Sequence, residues 1–354
     1  MTWLRTAHVL AVVGLVGAVV CTPLAVTVAR PKNAPVVEAP PPPPPPAGPV
    51  ALPGRTVAEA AAYQAWVERV GGASPAFTSG SGVAQTLKDS AAYEPKALIR
   101  GAIAYAAIAA LQDQQFVAEL RAAGNSPDNR RLMAGYLMAD PAYALLFRSS
   151  DRAASLAREA LAGAGLRLYA TGKAVRQASY DIQHQPWSKL DIEGRPARLA
   201  AVEALGQQPL PNAADHVDAL QRVIAGGAPS ISASALAPPY TPLVAKALQL
   251  AAIAALGEAS DELYDRLAVL ASDEPTDNCL HIAKLNLFQC LAVARPNYED
   301  MFCTGQHAMM DTGACLVVNA GLAVPVEPPA VGPIVTFRVA TPASARATHR
   351  GHKK

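Results

Sequence analysis

Residues 279–315 read CLHIAKLNLFQCLAVARPNYEDMFCTGQHAMMDTGAC and hold four of the five cysteines and two of the seven histidines. Thiolates and imidazoles at this density can hold a zinc ion, perform thiol chemistry or close disulfides. A zinc site would draw on Cys279, His281, Cys303 and His307, a chemically sufficient set. The spacing argues against it. The stretch has no C-x-x-C pair, and on a helix Cys279 and His281 stand two apart and face away from each other. Disulfides, with no metal and no cofactor, are the expectation.

A second stretch, RQASYDIQHQPWSKLDIEGRP over 176–196, concentrates polar and aromatic groups. On a helix over 166–184, Gln177, Asp181 and His184 would stand at i, i+4 and i+7 on one face. An aspartate one turn before a histidine can orient the imidazole and raise its basicity, as general-base catalysis requires. Asp181 and His184 are therefore the candidate catalytic pair, and Tyr180, Trp187 and Lys189 the candidate binding residues beside them. The plainer alternative is a helix end whose Trp187 anchors a loop while Asp181 and His184 share a surface hydrogen bond. No phosphate-cradling, dinucleotide, zincin or nucleophile-elbow motif accompanies the pair. SGSG at 79–82 reads as a flexible turn.

The elements that must carry these residues are helical. The 354-residue chain is 51% hydrophobic but only 5% aromatic, and alanine, the best helix former, supplies much of the apolar share. A net charge of +2 gives no concentrated basic face for nucleic acid. Start signals recur: a TVAE capping box at 56–59, and proline after a capping residue at 126–127, 140–141 and 241–242. Glycines at 71–72, 124, 163, 206 and 226–227 read as stops. The pattern predicts helices over 56–70, 95–123, 127–138, 141–148, 151–162, 166–184, 196–206, 213–225, 242–257, 260–271 and 278–294. GAIAYAAIAAL (101–111) and PLVAKALQLAAIAAL (242–256) are apolar on nearly every face, so both belong in the core. Their shared AAIAAL reads as coincidence in so alanine-rich a chain.

The ends set the expected compartment. Residues 1–30 carry Arg5 and then no Lys, Arg, Asp or Glu until Arg30, which reads as a membrane anchor, with a cleaved signal peptide as the alternative. Residues 31–54 include seven consecutive prolines, 40–46, which take extended polyproline II and would space a domain up to ~60 Å from the membrane. Residues 55–322 form the expected all-α domain. The tail 323–354 is proline-rich and basic, with a short strand-like alternation over 335–339, and reads as disordered.

Outside the cytoplasm four cysteines imply two disulfides. On one helix Cys279 and Cys290 would stand roughly 16 Å apart, beyond the ~7 Å reach of a disulfide. Pro296 breaks that helix, and a returning segment over 301–320 would bring Cys303 to Cys290 and Cys315 to Cys279. Gly305 and Gly313 weaken the second arm, which makes the outer pair the less secure. The layout resembles the twin-cysteine helical hairpins of the CHCH type over about forty residues, with C-x10-C and C-x11-C in place of C-x9-C twice.

The sequence thus predicts an all-α, multi-helix extracytoplasmic domain behind one N-terminal transmembrane helix and a Pro-rich linker, ending in a disulfide-stapled hairpin. The expected role is a non-catalytic scaffold or adaptor at the bacterial inner membrane, its main domain periplasmic. It would bind protein partners of the cell envelope, touch the membrane through its N-terminal helix and bind no nucleic acid. The alternative is an envelope hydrolase acting on cell-wall polymer through a carboxylate/His groove.

Overall fold

The computed structural model describes residues 48–326, except 228–230, 234 and 236. The anchor segment, the proline run, the 335–339 alternation and the basic end lie outside the described residues. No helix among the described residues is long and apolar enough to cross a membrane.

The described chain is all-helical. In order it forms α1 (Gly54–Gly71), α2 (Gly80–Ala91), α3 (Pro95–Ala110), α4 (Gln114–Ala123), α5 (Pro127–Ala139), a 3-10 segment (Pro141–Leu146) and α6 (Ser150–Asp181). There follow α7 (Arg195–Leu205), α8 (Ala214–Ile224), α9 (Pro242–Ala255), α10 (Tyr264–Leu270) and α11 (Glu274–Val293). The last arm is α12 (Asn297–Cys303), a π-helical segment (Thr304–Asp311) and α13 (Thr312–Asn319). A single isolated bridge, Asp191 to Pro296, is the one β-type pairing among the described residues.

Capping chemistry starts many of these helices. Ser126, Thr241 and Asp273 accept hydrogen bonds from the backbone N–H groups of Asn129, Val244 and Thr276, each with proline in the first turn. Glu94 does the same for Lys96 and Ala97 of α3. At α1 the expected capping box is absent. The helix starts at Gly54, Thr56 is buried, and Glu59 instead pairs with Arg100 at 3.0 Å.

The apolar helices α3 and α9 lie at the centre, with α1 and α6 packed around them. Thirteen of the sixteen residues of α3 are buried, so the all-round hydrophobicity of GAIAYAAIAAL does report a core position. The predicted 95–123 helix is two. Asp113 accepts from the Phe116 N–H at 2.9 Å and starts α4 after a break at Leu111–Asp113. SGSG at 79–82 is no turn but the start of α2. The Ser79 hydroxyl caps Gly82, and Val83 and Leu87 are buried beneath it.

The largest departure concerns α6. Gly163 does not stop it, and one continuous helix of 32 residues, about 48 Å long at 1.5 Å per residue, replaces the two expected. Its glycines act as contacts. A Cβ built on Gly165 would lie 2.6 Å from the Gly313 carbonyl oxygen, and one on Gly172 would lie 2.6 Å from that of Gly305. The final arm therefore runs antiparallel to α6 at close range. Seven positions of α6 (165 to 172) match eight of the arm (305 to 313). Under α winding, eight residues would carry the second glycine roughly 80° off the face of the first. The wider i→i+5 winding of the π segment takes up the extra residue.

Candidate functional site

The hairpin around the cysteines forms as the helix rise requires. Cys279 and Cys290 both sit on α11, and the chain reverses at Pro296. Cys279 pairs with Cys315 and Cys290 with Cys303, each pair with Cα atoms 5.7 Å apart. The second arm stays helical through Gly305 and Gly313, which face α6 instead of breaking the arm. The zinc alternative has no geometry to support it, because Cys279 and Cys303 belong to different pairs. His281 and His307 sit beside Asp277 and Asp311, at 3.2 and 2.8 Å.

Where α11 meets α12, a groove of about 440 Å³ opens over the inner cysteine pair. Its walls are Ser179 and Tyr180 from the end of α6 with Gln183 just past it, Cys290 and Val293 from α11 with Ala294 just past it, and Tyr298, Glu299 and Phe302 from α12. The Tyr180 and Phe302 rings meet edge-on with centroids 6.0 Å apart, and His307 stands 6.4 Å beyond Phe302. A polar chain backs this aromatic strip. Arg176 donates to the Gln306 side-chain oxygen at 2.6 Å, Gln306 donates to Asp311 at 2.9 Å, and the other Asp311 oxygen holds His307.

The groove is continuous with an exposed face of α11. Ile282, Leu285 and Val293 are 59%, 56% and 75% exposed, and with Gln289 they follow helical spacing along one face. The other side of α11 is fixed to the protein. Arg195 donates to the carbonyls of Ala294 and Ala292 at 2.7 and 2.9 Å, and Arg198 donates to that of Leu291. These guanidinium groups satisfy the last carbonyls of the helix, which have no partner within it. Arg198 also pairs with the buried Asp300 of α12. Burial lifts the Asp300 carboxyl to about 6, against the opposing pull of Arg198.

Of the residues singled out in the sequence, Tyr180 lines the groove. Gln177 and Asp181 share a helix face, and Asp181 accepts from the Gln177 amide at 2.9 Å. The helix ends at Asp181, so His184 lies beyond it, exposed, and is not on that face. Neither Asp181 nor His184 lines the groove. Trp187 and Lys189 sit on the connector to α7. The Trp187 indole N–H donates to Gln185 at 2.7 Å. Asn297 at the hairpin turn donates to the carbonyls of Trp187 and Leu190 at 3.1 and 3.2 Å, strapping this connector to the turn.

Sequence reading missed the α11 face and Phe302. A signal for the first was available, since Ile282, Leu285 and Val293 keep helical spacing next to the cysteines. Phe302 carries none, because its exposure depends on how α12 packs. Comparison of the chain with protein-family models, with curated proteins and with solved structures finds no match in any of the three.

Proposed function

We propose that this protein is a membrane-anchored scaffold of the bacterial cell envelope that binds an amphipathic helix of a protein partner. The partner lies along the Ile282–Leu285–Val293 face of α11, its end seated in the Tyr180–Phe302 groove. The observation that carries this reading is the row of three large apolar side chains, each more than half exposed, leading into an aromatic-lined groove. Such rows on otherwise polar surfaces mark interaction sites, and helix-in-groove partners read them at i, i+3, i+4 and i+7 spacing. Tyrosine and phenylalanine anchors supply large contact area at low conformational cost. Anchoring and export rest on the uncharged run before Arg30 and on two cysteine pairs at disulfide distance, which suit an oxidising space. No nucleic acid is involved in this reading.

The test is a photo-crosslinking amino acid placed at Leu285 in the full chain in intact cells, with Leu132, exposed to 55% on α5, as control. The expected result is one discrete adduct at Leu285, whose mapped peptide is an amphipathic helix, lost in an Ile282→Glu, Val293→Glu double variant that melts like the parent. Adducts of equal yield at Leu132 and Leu285, or an adduct only with a second copy of this chain, would overturn it.

A further inference from the structure

On the flank of α11 next to the docking face, a lysine is buried where no role in partner binding requires one. Lys284 is 7% exposed. Its ammonium donates to the Ala91 carbonyl at 3.0 Å and stands 3.8 Å from the centre of the Tyr93 ring. No carboxylate pairs with it among the described residues. The nearest one of influence, Glu94, is committed to the first turn of α3, accepting from Lys96 and Ala97 at 3.0 and 2.6 Å. A buried cation with one conventional acceptor and one aromatic face is poorly compensated for the water it has lost. Burial accordingly pushes Lys284 down to about 7, with Glu94 pulling the other way. A substantial fraction of the amine is then neutral near pH 7, with a free lone pair.

Lys284 lines a cavity of about 480 Å³ whose walls also include Glu94, Glu203, Gly206, His281, Leu285 and Phe288. Gly206 packs directly against the amine. A Cβ built there would lie 2.9 Å from the Lys284 nitrogen, so only a glycine leaves the amine its place at this edge of the cavity. The groups facing it that can take up or release protons are Tyr93 and Glu94 before and at the start of α3, Glu203 on α7 and His281 on α11. A neutral amine, a cavity for a small molecule and proton-carrying side chains around it are the parts that carbonyl condensation needs.

We propose that Lys284 is a Schiff-base lysine, whose amine condenses with an aldehyde or ketone of small size held in the Glu203–Gly206–His281 cavity. The nitrogen lone pair forms a bond to the carbonyl carbon, and the carbonyl π pair moves to oxygen, which takes a proton as the nitrogen loses one. The resulting carbinolamine expels its hydroxyl as water after a second proton arrives from Glu203 or His281. The nitrogen lone pair then closes the C=N bond. The product is a protonated imine, which is the neutral imine once its N–H proton returns to Glu203 or His281. Amine and carbonyl then give imine and water, with no oxidant or reductant consumed. The cavity shares Leu285 with the helix-docking face, while the amine itself is turned towards Ala91 and Gly206 of the α7 end.

The experiment uses the intact chain with benzaldehyde as probe and cyanoborohydride to trap any imine as a stable benzylamine. Peptide mapping then compares Lys284 with the exposed Lys189 and Lys96. The expected result is Lys284 labelled about tenfold or more faster than either at pH 7, with the advantage shrinking towards pH 10 as ordinary lysines lose their protons. Gly206→Leu, which presses on the amine, should remove the Lys284 advantage while leaving Lys189 labelling as it is. Equal labelling of Lys284 and Lys189 at pH 7 would overturn the proposal, as would a folded Gly206→Leu chain labelled like the parent. If that variant does not fold, the parent's labelling ratio alone decides.

Discussion

Gly165 of α6 and Gly313 of the final arm stand backbone against backbone: a Cβ on either would fall within 2.6 Å of the other's carbonyl oxygen. Helices come this close only where both lack side chains. Gly165→Ala or Gly313→Ala should therefore lower stability by roughly 1–3 kcal/mol, as overpacked cores do. Gly163, two residues away, has nothing within 4 Å of a built Cβ. Gly163→Ala should raise stability by about 0.5–1 kcal/mol through helix propensity. Thermal melts of the three variants check the contrast, and a loss at all three positions would count against the close contact.

The two cysteine pairs close chain segments of different length, with sequence separations of 13 and 36 residues. Chain entropy assigns about 3 kcal/mol to the shorter loop and roughly 4 kcal/mol to the longer. Peptide mapping without reduction should recover Cys290–Cys303 and Cys279–Cys315. Replacing the outer pair by serine should lower the melting temperature more than replacing the inner one.

Arg198 is the cation beside the buried carboxylate of Asp300, so Arg198→Met leaves an uncompensated charge and should cost about 3 kcal/mol. The pH dependence follows from the direction of the Asp300 shift. A carboxyl held at about 6 in the fold, against 3.8 as its ordinary value, keeps its proton longer folded than unfolded. Its contribution to stability is thus present below pH 4 and is lost as pH rises through 6. Urea midpoints of Asp300→Asn should lack the fall that the parent shows between pH 4 and 6.

Lys284 has the opposite slope. Its folded value near 7 lies below the ordinary 10.5, so between these values the unfolded chain binds the extra proton. Stability should rise with pH across that window, by roughly 2 kcal/mol between pH 7 and 9. Lys284→Met should flatten this rise. Parallel denaturation of parent and variant at both pH values isolates the lysine from tyrosines that titrate higher.

Helix content and core position were legible because proline-led caps and all-round apolar runs act locally. Cysteine pairing was legible because helix rise excludes Cys279–Cys290 whatever the surroundings. What escaped depended on partners distant in sequence. Gly163 looks like a stop until α6 is seen carrying its glycines against the final arm. SGSG at 79–82 has poor helix propensity, and the burial of Val83 and Leu87 makes it helical. The Asp113 cap, by contrast, was readable and was overrun by the alanine pattern around it. At the candidate site, Tyr180 was found from composition. The exposure of Phe302 and the loss of His184 from the helix face follow from where α12 packs and where α6 ends.

The two cysteine pairs grip α11 eleven residues apart, and Arg195 and Arg198 hold its C-terminal carbonyls. A helix pinned at both ends behaves as a rigid rail, and its outward side chains stand in place before any partner arrives. Docking on such a rail sacrifices little chain freedom, so affinity can be high for a modest contact. Opening the inner pair would loosen the Val293 end first, and partner release would then precede any loss of helix.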